Sequence, residues 1–195
     1  MNMLRKQFRP AIMMTIVLCV ITGAIYPGLI TGVAQLLFPR QANGSLVVVN
    51  GRVVGSALIG QTFTKSEYFH SRPSAAGNGY DATASSGTNK GPTDRKLADT
   101  LIAQAVDSAV KNDGAVKGQV PSDMVTSSAS GLDPDISPAN AYLQVARVSR
   151  ARGADSARVR ALVDAYVQGR QFGFFGEPRV NVLLLNIALD SAFKK

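Results

Sequence analysis

The chain has 195 residues, a net charge of +8, one cysteine, one histidine and no tryptophan. A single cysteine excludes an internal disulfide framework and a thiolate metal cage, and any triad or His-ligated metal would depend on His70 alone. The basic residues are scattered, without the continuous stripe and interleaved aromatics of a nucleic-acid surface, and no P-loop or GxGxxG sequence occurs.

Residues 11–38 form one uncharged, mostly apolar run. It exceeds the roughly 20 residues that span a bilayer as a helix. It is also about twice the length of a secretory signal core, and its exit through Gln35, Phe38 and Pro39 offers no small-x-small cleavage site. An uncleaved anchor is expected. Arg5, Lys6 and Arg9 precede the run, while only Arg40 and Arg52 follow it closely. The positive-inside bias then leaves residues 1–10 in the cytoplasm, 11–38 across the membrane and 39–195 outside. Within the helix, Tyr26-Pro27-Gly28 predicts a kink, because proline removes a backbone donor. Gly23, Gly28 and Gly32 leave one face with little bulk. With Pro27 they read either as a surface for a partner helix or as the ordinary glycine content of membrane helices.

After the anchor, Leu46–Val49 reads as a strand, Asn50-Gly51 as a tight hairpin turn and residues 52–59 as the returning strand. Gly55 within it marks a bulge or a close backbone approach. Residues 71–92 are dominated by Gly, Ser, Ala, Thr and Asn with Tyr80 in their midst, a composition that suits either a functional surface or an unstructured linker. Thr93 is expected to cap a helix with Leu97, Leu101, Ala105 and Ala109 on one face, ended by Gly114. A second Ser-rich stretch, residues 121–138, leads to Ser137-Pro138, an N-cap and first-turn proline for a helix closed by Gly153. Asp155 opens another helix that ends by Gly169. Beyond the turn Phe172-Gly173-Phe174-Phe175-Gly176, the last element has helical spacing, with a buried strand over residues 180–185 as the competitor. The sum is an α+β domain with one hairpin and about four helices behind one membrane helix.

Three segments are specific enough to carry a resemblance: Tyr68-Phe69-His70-Ser71-Arg72-Pro73-Ser74; Val120 to Pro138, with Ser128, Ser130 and Gly131 at its centre; and Gly173-Phe174-Phe175-Gly176-Glu177-Pro178-Arg179-Val180-Asn181. Together with the single anchor and the helix bearing Gln144, Arg147 and Arg152, they resemble the C-subunit family of the Kdp high-affinity potassium-transporting ATPase. Ser71, Ala129 and Asp135 depart from the family's usual residues at those positions.

The resemblance implies an accessory subunit of the bacterial inner membrane, without catalysis of its own. Its partners would be a channel-like potassium subunit, a P-type ATPase subunit, a small single-helix subunit and the surrounding lipid, with no nucleic acid. It also implies a catalytic-chaperone role that promotes ATP binding by the pump subunit. An outside domain cannot touch cytoplasmic nucleotide, so that effect is expected to pass through membrane-helix contacts and a shift between pump states. ATP would then be bound only through the complex. In the reverse orientation, Gln144, Ser128, Ser130 and Gly131 become candidates for nucleotide. For partner contact the candidates are Tyr68, Phe69, Arg72, Tyr80 and Arg179, the two arginines serving equally well as bidentate anchors within the chain. An anchored enzyme would need a nucleophile and a base within reach of each other, and the chain has a single histidine, so the competing reading is an anchored binding or adhesion module.

Overall fold

The computed structural model describes residues 2–193, and the chain divides into two compact units, residues 1–46 and 47–195. The first is almost wholly helical: α1 (Asn2–Val20), a π-helical turn at Ile21–Ile25, α2 (Tyr26–Leu37) and the short α3 (Pro39–Ala42). The stretch Lys6–Leu37, 32 residues, is long and apolar enough to cross a membrane. Pro27 has no N–H to offer the carbonyl four residues back. The helix meets this with the π turn, where the Tyr26 N–H reaches five residues back to the Ile21 carbonyl. The proline is thus accommodated by a local change in the hydrogen-bond ladder. Thr15 and Thr22 donate their hydroxyls to the Ala11 and Leu18 carbonyls, so neither presents a bare polar group on the apolar surface.

The hairpin β1 (Leu46–Val49) and β2 (Arg52–Ser56) turns through Asn50 and Gly51, both at positive φ, as a two-residue primed turn requires. Gly55 marks a close approach: the Gln61 amide occupies the space a side chain would take and donates to the Val54 carbonyl at 2.8 Å. Residues 57–92 then run without long elements, apart from a single 3-10 turn at Ala82–Ala84.

Four longer helices follow, with two short strands between the third and fourth. A π-helical turn Leu97–Ile102 leads into α4 (Ala103–Asp113). The cap is Asp94, whose carboxylate accepts the Leu97 N–H at 2.9 Å, one residue later than the expected Thr93. Gly114, at φ +71, ends α4 as expected. After the short α5 (Ser122–Val125) and β3 (Asp135–Ile136), α6 (Pro138–Arg152) starts at Ser137, whose hydroxyl accepts the Asn140 N–H, and stops at Gly153, φ +62. Helix α7 (Ser156–Tyr166) is capped by Asp155. The strands β4 (Val167–Gln168) and β5 (Arg179–Asn181) precede α8 (Val182–Ala192), capped by Asn181. The last element therefore divides between the two readings, three residues of strand and then helix.

Strands β3, β5 and β4 form an antiparallel sheet in that order, with Ile136 opposite Val180 and Val167 opposite Val180. Helix α6 packs on α7, and α7 on α8. Their facing residues, Val145, Val148, Val159, Val163, Leu185 and Leu189, build the core with Ile136 and Val180 of the sheet. Phe69 is fully enclosed within this core.

Candidate functional site

Phe69 and His70 belong to no strand or helix. Their backbone is bonded by side chains instead. Asn186 on α8 accepts the Phe69 N–H and donates to the Phe69 carbonyl, both at 2.9 Å. Gln144 on α6 does the same for His70, at 2.7 and 3.1 Å. Two amide side chains thus replace the neighbouring strand that buried backbone groups require. Gln144 also donates to Asn140 and accepts from Arg147, so every bond its amide can make is made within the domain. Arg147 completes the clamp, reaching the Ser66 and Tyr68 carbonyls and pairing with Asp113 at 2.7 Å, the two side chains 7% and 5% exposed. Arg152 binds the Glu67 carbonyl and Asp190 and lies over the Tyr68 ring, whose hydroxyl also donates to Asp190.

Burial raises the Tyr68 phenol above its ordinary pKa, helped by that bond to Asp190. His70 moves the other way: burial and then the Arg147 charge lower its pKa, while its Nε2 sits 3.0 Å from the Lys65 carbonyl. His70 is thus tied into its own loop. His70, Ser108, Asn112 and Gln144 line a polar cavity of about 260 Å³ between α4 and α6.

Residues 71–92 are knitted to residues 126–133. Ser74 donates to the Gly131 carbonyl at 2.6 Å and accepts the Tyr80 N–H, while the Ser86 N–H meets the Ser130 carbonyl. Gly131, at φ +66, touches the backbone of Ala76 and Ser86 where a side chain would collide. Ser128 and Ser130 accept the Gly131 and Leu132 N–H groups within their own loop. Tyr80 donates its hydroxyl to the Arg72 carbonyl, and burial pushes its pKa up to about 12. Arg72 pairs with Asp133 at 2.8 Å and binds the Thr126 carbonyl. Arg179 pairs with Asp135 at 3.1 Å. Arg72 and Arg179 line one groove of about 310 Å³ with Asp133, Asp135 and Glu177, so cations and carboxylates alternate there. Asp135 has its pKa raised by burial, against the pull of Arg179.

Sequence reasoning passed over Asn186, Asp113, Asp123 and Asp190. Asn186 had a signal, a lone amide inside the apolar run Leu183 to Leu189. Asp123 accepts from the Ser137 N–H and hydroxyl and from Asn140, fixing the start of α6 from 14 residues away. Among the described residues, no group of three His, Cys, Asp or Glu side chains could hold a metal ion. Gly23, Pro27, Gly28 and Gly32 lie on the membrane-length helix, and within that helical unit no described side chain crowds the three glycines.

The outer surface is unusually apolar in two places. Leu46, Val48 and Val53 leave one face of the hairpin uncovered, and the β4–β5 turn carries Phe172, Phe174 and Phe175 at 88%, 64% and 58% exposure. Among the described residues, one helix long and apolar enough to cross a membrane precedes an α+β domain whose polar residues mostly serve its own backbone, the build of a membrane-associated protein. The family described as KdpC, the c chain of a K+-transporting ATPase, matches residues 8–191. A potassium-transporting ATPase KdpC subunit from Gemmatimonas aurantiaca is 65% identical over 187 residues, covering 95% of this chain and 93% of that protein. Proteins of the same description from Myxococcus xanthus and Koribacter versatilis are 57% and 54% identical, covering 95% and 96% of this chain and 88% and 95% of theirs. The chain belongs to the KdpC family, and its role lies in a potassium-transporting ATPase complex.

Proposed function

We propose that the chain is a non-catalytic subunit that stabilises the potassium-transporting complex and promotes ATP binding and turnover by the P-type ATPase subunit indirectly. The channel-like potassium subunit, the ATPase subunit and a small single-helix subunit are its partners. Family membership across nearly the whole chain carries this reading. Residues 1–10 face the cytoplasm and residues 39–195 lie outside, in keeping with Arg5, Lys6 and Arg9 before the uncharged apolar run and the lack of a comparable cluster after it. Coupling to the pump then passes through the membrane helix. Its Gly23, Pro27, Gly28 and Gly32 region meets a partner helix, and it affects ATP affinity only by contacting two pump states unequally.

Within this reading, Tyr68, Phe69, Arg72, Tyr80 and Arg179 shape the domain that meets the partners. Gln144, fully bonded within the domain, and Ser128, Ser130 and Gly131, bonded within their loop, are assigned to structure and not to nucleotide.

The test uses the full chain in its native membrane. Cys19 is the only cysteine, on the membrane-length helix, so Lys117→Cys places one thiol on the domain's exposed surface. A membrane-impermeant maleimide added to spheroplasts is expected to label Lys117→Cys without lysis. A tag on the same chain should retrieve a P-type ATPase and a channel-like protein from mild detergent. Labelling only after lysis reverses the topology. Recovery of a folded, solitary chain overturns the subunit reading in favour of an anchored binding or adhesion module.

A further inference from the structure

The turn between β4 and β5 holds its three phenylalanines in a fixed array. The Gln171 N–H donates to the Phe175 carbonyl and the Phe175 N–H to the Gln171 carbonyl, both at 2.9 Å, while the Gly173 N–H meets the Arg170 carbonyl at 3.1 Å. Phe172 adopts φ +53, a left-handed conformation that a bulky residue enters only at an energetic cost. The Phe174 and Phe175 rings lie 4.2 Å apart, and Phe172 stands almost free in solvent. Strain and exposed aromatic surface coincide at one point, and the domain's own packing gains little from either.

We propose that residues 171–176 are a preformed docking knuckle that inserts its phenyl rings into an apolar pocket on another subunit of the potassium-transporting ATPase. The inference rests on the assembly reading above and gives it a contact point. Two observations favour a protein pocket over a lipid surface. The base of the knuckle is electrically balanced: Arg170 holds both oxygens of Glu177, at 2.7 and 2.9 Å, and Arg179 holds Asp135. An anionic bilayer selects unpaired cations, whereas a polar rim around buried aromatic anchors is the anatomy of a protein interface. A fluid bilayer also accepts any flexible apolar loop. Fixing Phe172 in a strained conformation is useful only against a pocket of fixed shape.

The experiment introduces p-benzoylphenylalanine at position 174 of the full chain, co-produced with the other subunits, with position 116 as an exposed control. Irradiation is expected to give an adduct between this chain and a subunit of the same ATPase, identified by mass, from position 174 and not from 116. If the subunits co-purify but position 174 yields only lipid adducts or none, the knuckle inference falls and the assembly reading stands. If no subunit co-purifies, both fall. The combined substitution Phe172→Ser, Phe174→Ser and Phe175→Ser should leave the melting temperature unchanged and lower subunit recovery by about tenfold or more. Undiminished recovery would overturn the proposal.

Discussion

Asn186 has one neighbour that matters, the backbone of Phe69, and it makes both of that residue's hydrogen bonds. Leucine in its place would keep the volume but strand a buried donor and a buried acceptor. Asn186→Leu is expected to cost about 2–4 kcal/mol, read from denaturant unfolding of the detergent-solubilised chain. Gly131→Ala forces a side chain against the Ala76 backbone at a left-handed φ, and a loss of about 2 kcal/mol or more is expected by the same measurement. Tyr80 adds a pH dependence. Its folded pKa of about 12 lies above the ordinary tyrosine value. Below pH 10 the phenol is neutral in both states and its stabilising effect is complete. As pH rises from about 10 towards 12, the unfolded chain ionises first and that stabilisation is lost. Tyr80→Phe should flatten this alkaline decline while lowering stability at neutral pH by about 1 kcal/mol, through loss of the bond to the Arg72 carbonyl.

At the scale of elements, local chemistry was readable where it acts within a few residues. Asn50-Gly51, Ser137-Pro138, Gly153, Asp155 and Gly114 each mark a boundary that the structure keeps, because caps and primed turns depend on neighbours in sequence. Asp94 displaced Thr93 because its carboxylate lies three residues before the N–H it accepts. Asp94→Ala should remove the bond to the Leu97 N–H and reduce helicity by circular dichroism. The three-stranded sheet was not readable, since strands of two and three residues are too short to show alternation. Nor were the amide clamps, whose partners lie 74 and 117 residues away. The Ser/Gly-rich segment looked like a linker because composition reports small size and not the reason for it. Here small residues let two loops touch backbone to backbone, as Gly87 does against Ala129.

At the scale of the whole molecule, the sequence disclosed one long apolar helix ahead of an α+β domain, because length and apolar composition need no tertiary information. The family was also legible, since its longest segments contain the residues that hold the fold: Phe69 with Arg72, and Val180 with Asn181. Contact with other subunits was not, because exposed apolar surface is defined only once the core is known. The amide clamps on Phe69 and His70 also decide what can fold alone. These two residues belong to no strand, so their buried backbone is satisfied only when α6 and α8, 74 and 117 residues further along, are already in place. A fragment that stops short of α8 leaves the Phe69 N–H and carbonyl without Asn186, so the first half of the domain has no stability of its own and the two halves fold as one cooperative unit.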